Sequence, residues 1–167
     1  PSSSTAKRMS SAVSDARTDA AIMVDPLSVL AELTRFGRAL TGATRRETVA
    51  DRTRECLERL FAPAAGALAF VDADGQPPQL GAAVGDPAPQ VADPFFREIH
   101  AAGRVIRHTN PARLGTPIVA AGHTMGVLAL WGKRPDTFDE TSEAVLAAVA
   151  AQAAIALQNT RLIQILS

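Results

Sequence analysis

The side chains of this 167-residue chain best suited to ligation or nucleophilic chemistry are three histidines, His100, His108 and His123, and a single cysteine, Cys56. A neutral imidazole can bind a metal or move a proton near neutral pH. The histidines stand eight and fifteen residues apart, which is not the one-turn spacing that sets two imidazoles on one helix face for zinc. One cysteine can neither close a bridge nor supply a thiolate cluster. Asp72-Ala73-Asp74-Gly75 opens like a calcium loop, but its glycine comes too early and no glutamate closes the coordination; a hairpin turn accounts for it. Gly126 to Gly132-Lys133 departs from a phosphate loop by one extra intervening residue and by Arg134 in place of Ser or Thr. No Gly-x-Ser-x-Gly elbow occurs. With no activated nucleophile and no paired acid and base, a non-catalytic role is expected. Phe95, Phe96 and Ile99 give an apolar face that either covers the sheet or lines a cavity, since apolar walls with few polar groups are how proteins hold small molecules.

The elements that would position these residues follow from periodicity and punctuation. Residues 1–24 are rich in Ser, Thr and Ala and read as a linker or an incoming helix, ahead of one domain over 25–167. Asp25-Pro26 starts a helix with Leu27, Leu30, Leu33, Gly37 and Leu40 at helical spacing, and Gly42 ends it. Thr44-Arg45-Arg46-Glu47 reads as a capping box for a second helix, with Val49, Thr53, Cys56, Leu57 and Leu60 inward, a Glu55–Arg59 pair outside, and Pro63 as its stop. Gly66–Val71 is apolar at both parities and fits a strand covered on both faces. It leads through the Asp-Gly turn to a strand near Gln79–Val84. Asp93-Pro94 caps a short helix, Phe95–Ala102, closed by Gly103. A short strand over Arg104–Thr109 follows, then strands Thr116–Ala121 and Thr124–Trp131 around a tight turn at Gly122-His123, which leaves His123 exposed. In the last strand Met125, Val127, Ala129 and Trp131 alternate with Leu128 and Leu130. A long helix from about Thr137 or Asp139 to Leu166 closes the chain. One stripe holds Val145, Val149, Gln152, Ala156 and Ile163, and a second holds Leu146, Ala150, Ala153 and Leu157. Ala148, Ala151, Ile155 and Leu162 carry the apolar surface further round. A helix apolar over most of its circumference is covered on more than one side, so packing against the sheet and against other helices is expected, from a second copy or from the first two helices of its own chain alone. Helices segregated from a mostly antiparallel sheet make an α+β fold.

Composition narrows the partners. Seventeen basic residues balance seventeen acidic ones, which argues against a nucleic-acid or anionic-membrane surface. Aromatic residues make up 4%, thin for base-stacking platforms. Pro1–Ser14 lacks the apolar stretch of a secretory leader. The uncharged run Ala144–Thr160 is shorter than the ~20 apolar residues of a membrane span. A cytoplasmic setting is expected.

From Leu114 the chain reads Leu-Gly-Thr-Pro-Ile-Val-Ala-Ala-Gly-His-Thr-Met-Gly-Val-Leu-Ala-Leu-Trp-Gly-Lys. Phe138-Asp139-Glu140 follows, then the Ala-rich helix ending Ala-Leu-Gln-Asn-Thr-Arg-Leu. This order resembles a GAF domain, as do Phe70–Gly75 for the first hairpin and Gly103–Ile106 for the middle strand. The likeness runs from about Pro26 to Leu162. It implies a five- or six-stranded antiparallel sheet with the first, second and last helices on one face, where they build a homodimer bundle. On the other face the short helix and loops would enclose a pocket, with Phe95, Phe96, Ile99, His100, Ile106 and His108 as its ligand-binding set. The implied role is a sensory domain of a cytoplasmic signalling protein, which binds an unidentified small molecule and relays it through its terminal helices to an output domain. Two alternatives stand beside it: a structural dimerisation module with an empty pocket, and a haem-based gas or redox sensor that uses His100 or His108. Three kinds of member fit poorly. Cyclic-nucleotide binders carry Asn-Lys, Phe and Asp-Glu where this chain has Gly132-Lys133, Phe138 and Ser142-Glu143. Bilin binders need a cysteine near the pocket, and reducers of free methionine sulfoxide use several cysteines.

Overall fold

The computed structural model describes residues 25–72 and 76–167. The expected linker or helix over 1–24 and the turn residues 73–75 lie outside them. Four helices and five strands follow in the order α1 (Pro26–Leu40), α2 (Arg46–Phe61), β1 (Ala65–Phe70), β2 (Gln79–Gly85), α3 (Pro94–Ala102), β3 (Ile106–Thr109), β4 (Ala112–Ala120), β5 (His123–Trp131) and α4 (Glu140–Leu166). The strands form one antiparallel sheet ordered β2-β1-β5-β4-β3. The fold is α+β, as the segregation of helices and strands predicted.

Three of the four helix starts are written in side chains. Asp25 accepts from the Leu27 amide at 3.1 Å and Asp93 from the Phe95 amide at 2.9 Å, each followed by a proline in the first turn. Asp139 and Ser142 form a reciprocal capping box at the head of α4. The capping box expected at Thr44 does not form: Arg45 occupies the cap position of α2 and makes no side-chain cap bond. The expected Glu55–Arg59 pair is also replaced, by Arg52–Glu55 at 3.2 Å and Arg54–Glu58 at 3.0 Å.

The sheet separates two cores. On one face α1, α2 and α4 bury Phe36, Val49, Leu57, Leu68, Leu114, Leu128, Leu130 and Leu146. On the other, α3 packs Phe95, Phe96 and Ile99 against Ala67, Ala69, Ile106, Val127 and Ala129. Leu128 and Leu130 alternate with Val127 and Ala129 across β5 as expected, but Met125 does not share the face of Val127. The register slips between Ile118 and Val119, leaving Met125 as the extra residue of a bulge, and it packs with the helix-side core. A bulge of this kind re-aims one side chain without ending the strand. The β4–β5 turn also sits one residue earlier than expected. Ala120 pairs with His123, and the two central residues, Ala121 and Gly122, both take positive φ (52° and 78°). That is the backbone of a type I′ turn.

Helix α4 spans 27 residues, on the order of 40 Å. By length and composition it could cross a bilayer, but half of its most apolar window is buried in the fold. It lies across β4 and β5 and against α1 and α2. Gln152 donates to the Leu33 carbonyl at 3.2 Å, and its side chain occupies the space beside Gly37, where an added Cβ would lie 2.9 Å from Oε1. Leu40 shares a groove with Ala156 and Asn159. The two helices therefore run in the same direction. The two inner stripes of α4 are buried, apart from Gln152 and the exposed Ile163. The third stripe, expected to be covered, is bare in the single chain: Ala151, Ile155 and Leu162 are exposed and Ala148 is half-buried. Leu27 and Leu30, expected on the inner face of α1, are 76% and 61% exposed, and Phe36 instead anchors that helix.

Candidate functional site

Helix α3 carries four of the six predicted ligand-binding residues, and its short amphipathic run dictates where they go. Phe95, Phe96 and Ile99 recur on one face and are fully buried; Ile106, on β3, joins them. Both phenylalanine rings meet Trp131 edge-on, with centroids 5.7 Å apart. The approach of α3 to the sheet is close enough to require a glycine beneath it. A Cβ built on Gly115 would lie 2.3 Å from Ile99 Cδ1 and 3.1 Å from Phe95 Cζ. The space between α3 and the sheet is thus filled by the side chains that were expected to line it.

The two histidines separate. His108 Nε2 hydrogen-bonds Glu98 of α3 at 2.5 Å, and its ring meets the edge of Phe95. His100 is half-buried and lines a different cavity, described below, so the two imidazoles do not converge. Among the described residues no group of His, Cys, Asp or Glu comes together as a metal site. Sequence reasoning passed over Arg113. Its guanidinium lies 5.1 Å from the Phe95 ring centroid, and its buried Nε has no hydrogen-bond partner. The only sequence signal for it was a basic residue one position from the central Leu114. The register of β4 places it opposite His108 on one side and Trp131 on the other.

Two larger cavities lie at the margins of the sheet. One, of about 630 Å³, opens between Trp131, the start of β1 and the proline-rich loop Asp86–Asp93. The other, also about 630 Å³, lies where β1 ends and β5 begins. It is lined by Arg46, Phe70, Asp72, His100, the Gly122–Met125 corner, and Leu157, Thr160, Arg161 and Gln164 of α4. Arg46 spans this end of the sheet, pairing with Asp72 at 2.5 Å and lying 4.4 Å from the Phe70 ring centroid. A third feature is a groove along the helix face. Two adjoining hollows of about 330 and 250 Å³ share Leu40, Ala156 and Asn159, and the exposed Ile155, Leu162, Ile163 and Leu166 border them.

Where cyclic-nucleotide-binding relatives would place a lysine–acid pair, this chain makes a different bridge. Ser142 caps α4, and Glu143 accepts from Arg107 Nε of β3 at 3.1 Å. The same guanidinium donates to the Phe138 carbonyl. Cys56 is buried among helix-side residues. Desolvation, with Glu32 nearby as the next cause, pushes its thiol up to about 12, so it carries almost no reactive thiolate at neutral pH.

A search of curated proteins finds no match. Among solved structures, the GAF domain of a phosphoenolpyruvate-protein phosphotransferase from Coxiella burnetii superposes with a TM-score of 0.70 at 17% identity, over 81% of this chain and 96% of that one. The GAF domain of the potassium sensor histidine kinase KdpD from Escherichia coli gives 0.64 at 14%, over 81% and 98%. A free methionine-R-sulfoxide reductase from Neisseria meningitidis gives 0.68 at 16%, over 78% and 88%. These likenesses establish the fold. The sequence profile of the GAF domain matches residues 43–158, which includes α2, all five strands, α3 and most of α4, and the chain belongs to the GAF domain family.

Proposed function

We propose that this chain is a non-catalytic sensory domain of a cytoplasmic signalling protein, one that pairs with a second copy through α1 and α4 and relays ligand binding to an output domain along α4. One observation carries the reading: the bare apolar strip of Leu27 and Leu30 on α1 with Ile155, Leu162, Ile163, Ile165 and Leu166 on α4. The strip continues into the groove between Leu40, Ala156 and Asn159, which gives an incoming helix a concave seat. Large apolar side chains left exposed around a groove are what an interaction surface presents. Because α1 and α4 run the same way, a shift in their pairing would be transmitted toward the end of α4. Sedimentation equilibrium tests the pairing. A dimer is expected, with Ile155→Glu and Leu162→Glu giving folded monomers, since both side chains are exposed within the chain. A monomer at the highest soluble concentration overturns it.

The ligand part of the proposal places a small molecule against Phe95, Phe96, Ile99, Ile106 and His108; His100, expected in that set, lines the cavity at the end of β1 instead. Arg113 supports it, because a buried donor without an acceptor is what a carbonyl or carboxylate oxygen would satisfy. Binding there requires α3 to lift, and it shifts the helices only as far as the ligand prefers one arrangement over the other. The contact of Ile99 with Gly115 favours a second reading, a structural dimerisation module with this face permanently closed. Native mass spectrometry against a denatured sample separates the two: a retained small molecule supports sensing. The single cysteine of this chain does not support the reductase activity named for the Neisseria structure. The lone cysteine is buried with a raised pKa and has no second thiol to form a disulfide with.

A further inference from the structure

We infer that the cavity at the end of β1 binds a small phosphate ester, with Arg46 and Arg161 holding the phosphate and His100 and His123 completing its hydrogen bonds. This site is distinct from the face beneath α3 and draws its residues from four elements far apart in sequence: Arg46 from α2, His100 from α3, His123 from β5 and Arg161 from α4. Two guanidiniums and two imidazoles line it, with Asp72 as the one carboxylate of the lining among the described residues. Guanidinium forks match phosphate oxygens with paired hydrogen bonds, and an imidazole N–H adds a further donor. Thr124, and Gln164 in the last turns of α4, also line the cavity.

The size of the cavity argues for an ester rather than the free ion. Its ~630 Å³ falls within the range of small-molecule sites, several times what inorganic phosphate fills. Its exposed lining is mostly polar, and Phe70, Leu157 and the half-buried Met125 add a small apolar patch beside which an organic group can sit while the phosphate faces the arginines. Arg46 is already ordered by Asp72 and Phe70, so part of the entropic cost of fixing its side chain is met before a ligand arrives. Thr160, Arg161 and Gln164 belong to the final turns of α4, where residues 161–167 are all exposed. An occupant that bridges Arg46 to Arg161 ties those turns to the sheet. Binding would therefore report directly on the helix proposed to carry the signal, without any movement of α3.

The test is a titration of the full chain with phenyl phosphate, followed by two-dimensional NMR, with phenol and inorganic phosphate as the two halves of the probe. Saturable shifts centred on the amides of Thr124, Met125 and Gln164 are expected with phenyl phosphate, and weaker ones with either half. Arg161→Gln is the informative variant, because Arg161 is exposed and its loss leaves the fold intact. It should weaken binding by about tenfold or more, the scale of a charged hydrogen bond. Unchanged affinity in Arg161→Gln, shifts centred elsewhere, or no saturable shift overturns the inference. Sedimentation of the same samples keeps the result separate from the dimer: a monomer that still binds refutes only the pairing, and a dimer that does not bind refutes only this site.

Discussion

Gly115→Ala isolates the contact that closes the space beneath α3. The added methyl would lie 2.3 Å from Ile99 Cδ1 and 2.5 Å from Ile99 Cγ1, where carbon atoms normally rest ~3.5–4.0 Å apart. Relief of more than an ångström is needed, and Ile99 is fully buried with no empty side to turn toward. Either α3 lifts from β4 or Ile99 leaves its rotamer; overpacking of this kind costs about 1–3 kcal/mol. Strand propensity works the other way, since alanine loses less backbone entropy than glycine by roughly 0.5–1 kcal/mol, so a net loss of about 1–2 kcal/mol is expected. Ile99→Ala alone should cost about 2–5 kcal/mol through the cavity it leaves. In the double variant the new methyl enters that cavity, with Phe95 Cζ at 3.1 Å. The pair should then couple by about 1 kcal/mol or more in the stabilising direction. Urea unfolding followed by fluorescence reads all four states of the cycle. Trp131 is the chain's one tryptophan and touches both phenylalanines of α3, so its emission also reports local lifting. A neutral Gly115→Ala, or additive effects in the double variant, would refute the view that Ile99 and Gly115 close this face by direct contact.

Ala121 and Cys56 carry the remaining expectations. Ala121→Asn should raise stability by about 0.4–1 kcal/mol in thermal or urea unfolding: Ala121 holds a left-handed backbone at φ 52°, which asparagine tolerates better, and Asn-Gly is the preferred type I′ pair. Cys56 should resist thiol reagents in the native protein and react on unfolding, because burial pushes its thiol up to about 12. An unfolded thiol ionises near 8.5. Above that pH the unfolded chain releases a proton that the native one keeps, so stability should fall as pH rises from about 8.5 toward 12. Cys56→Ser should flatten that slope.

Much of the fold is local chemistry and could be read from residue order. Asp25-Pro26 and Asp93-Pro94 set two helix starts, because a side-chain acceptor and a preset φ act within one turn of chain; α4 was expected to begin at Thr137 or Asp139, without the Asp139–Ser142 box that caps it. Gly103 closed α3 for the same reason. The inward residues of α2 and the double-sided burial of β1 followed from period alone, since spacing of 3.6 or 2 maps directly onto a face. The α+β arrangement and the family resemblance came from the same ordered signals. What pairing between distant segments settles was not legible. The bulge that turns Met125 to the helix side depends on the register of β5 against β4. The orphaned Nε of Arg113 depends on the depth at which α3 crosses that pair. Whether Phe95, Phe96 and Ile99 line a space or fill it turned on how close the helix could come, and Gly115, some sixteen residues from Ile99, permits the closer approach. The cationic cavity could not have been anticipated at all. Arg46, His100, His123 and Arg161 have no common spacing, and only the return of α4 past the ends of β1 and β5 brings them to one place.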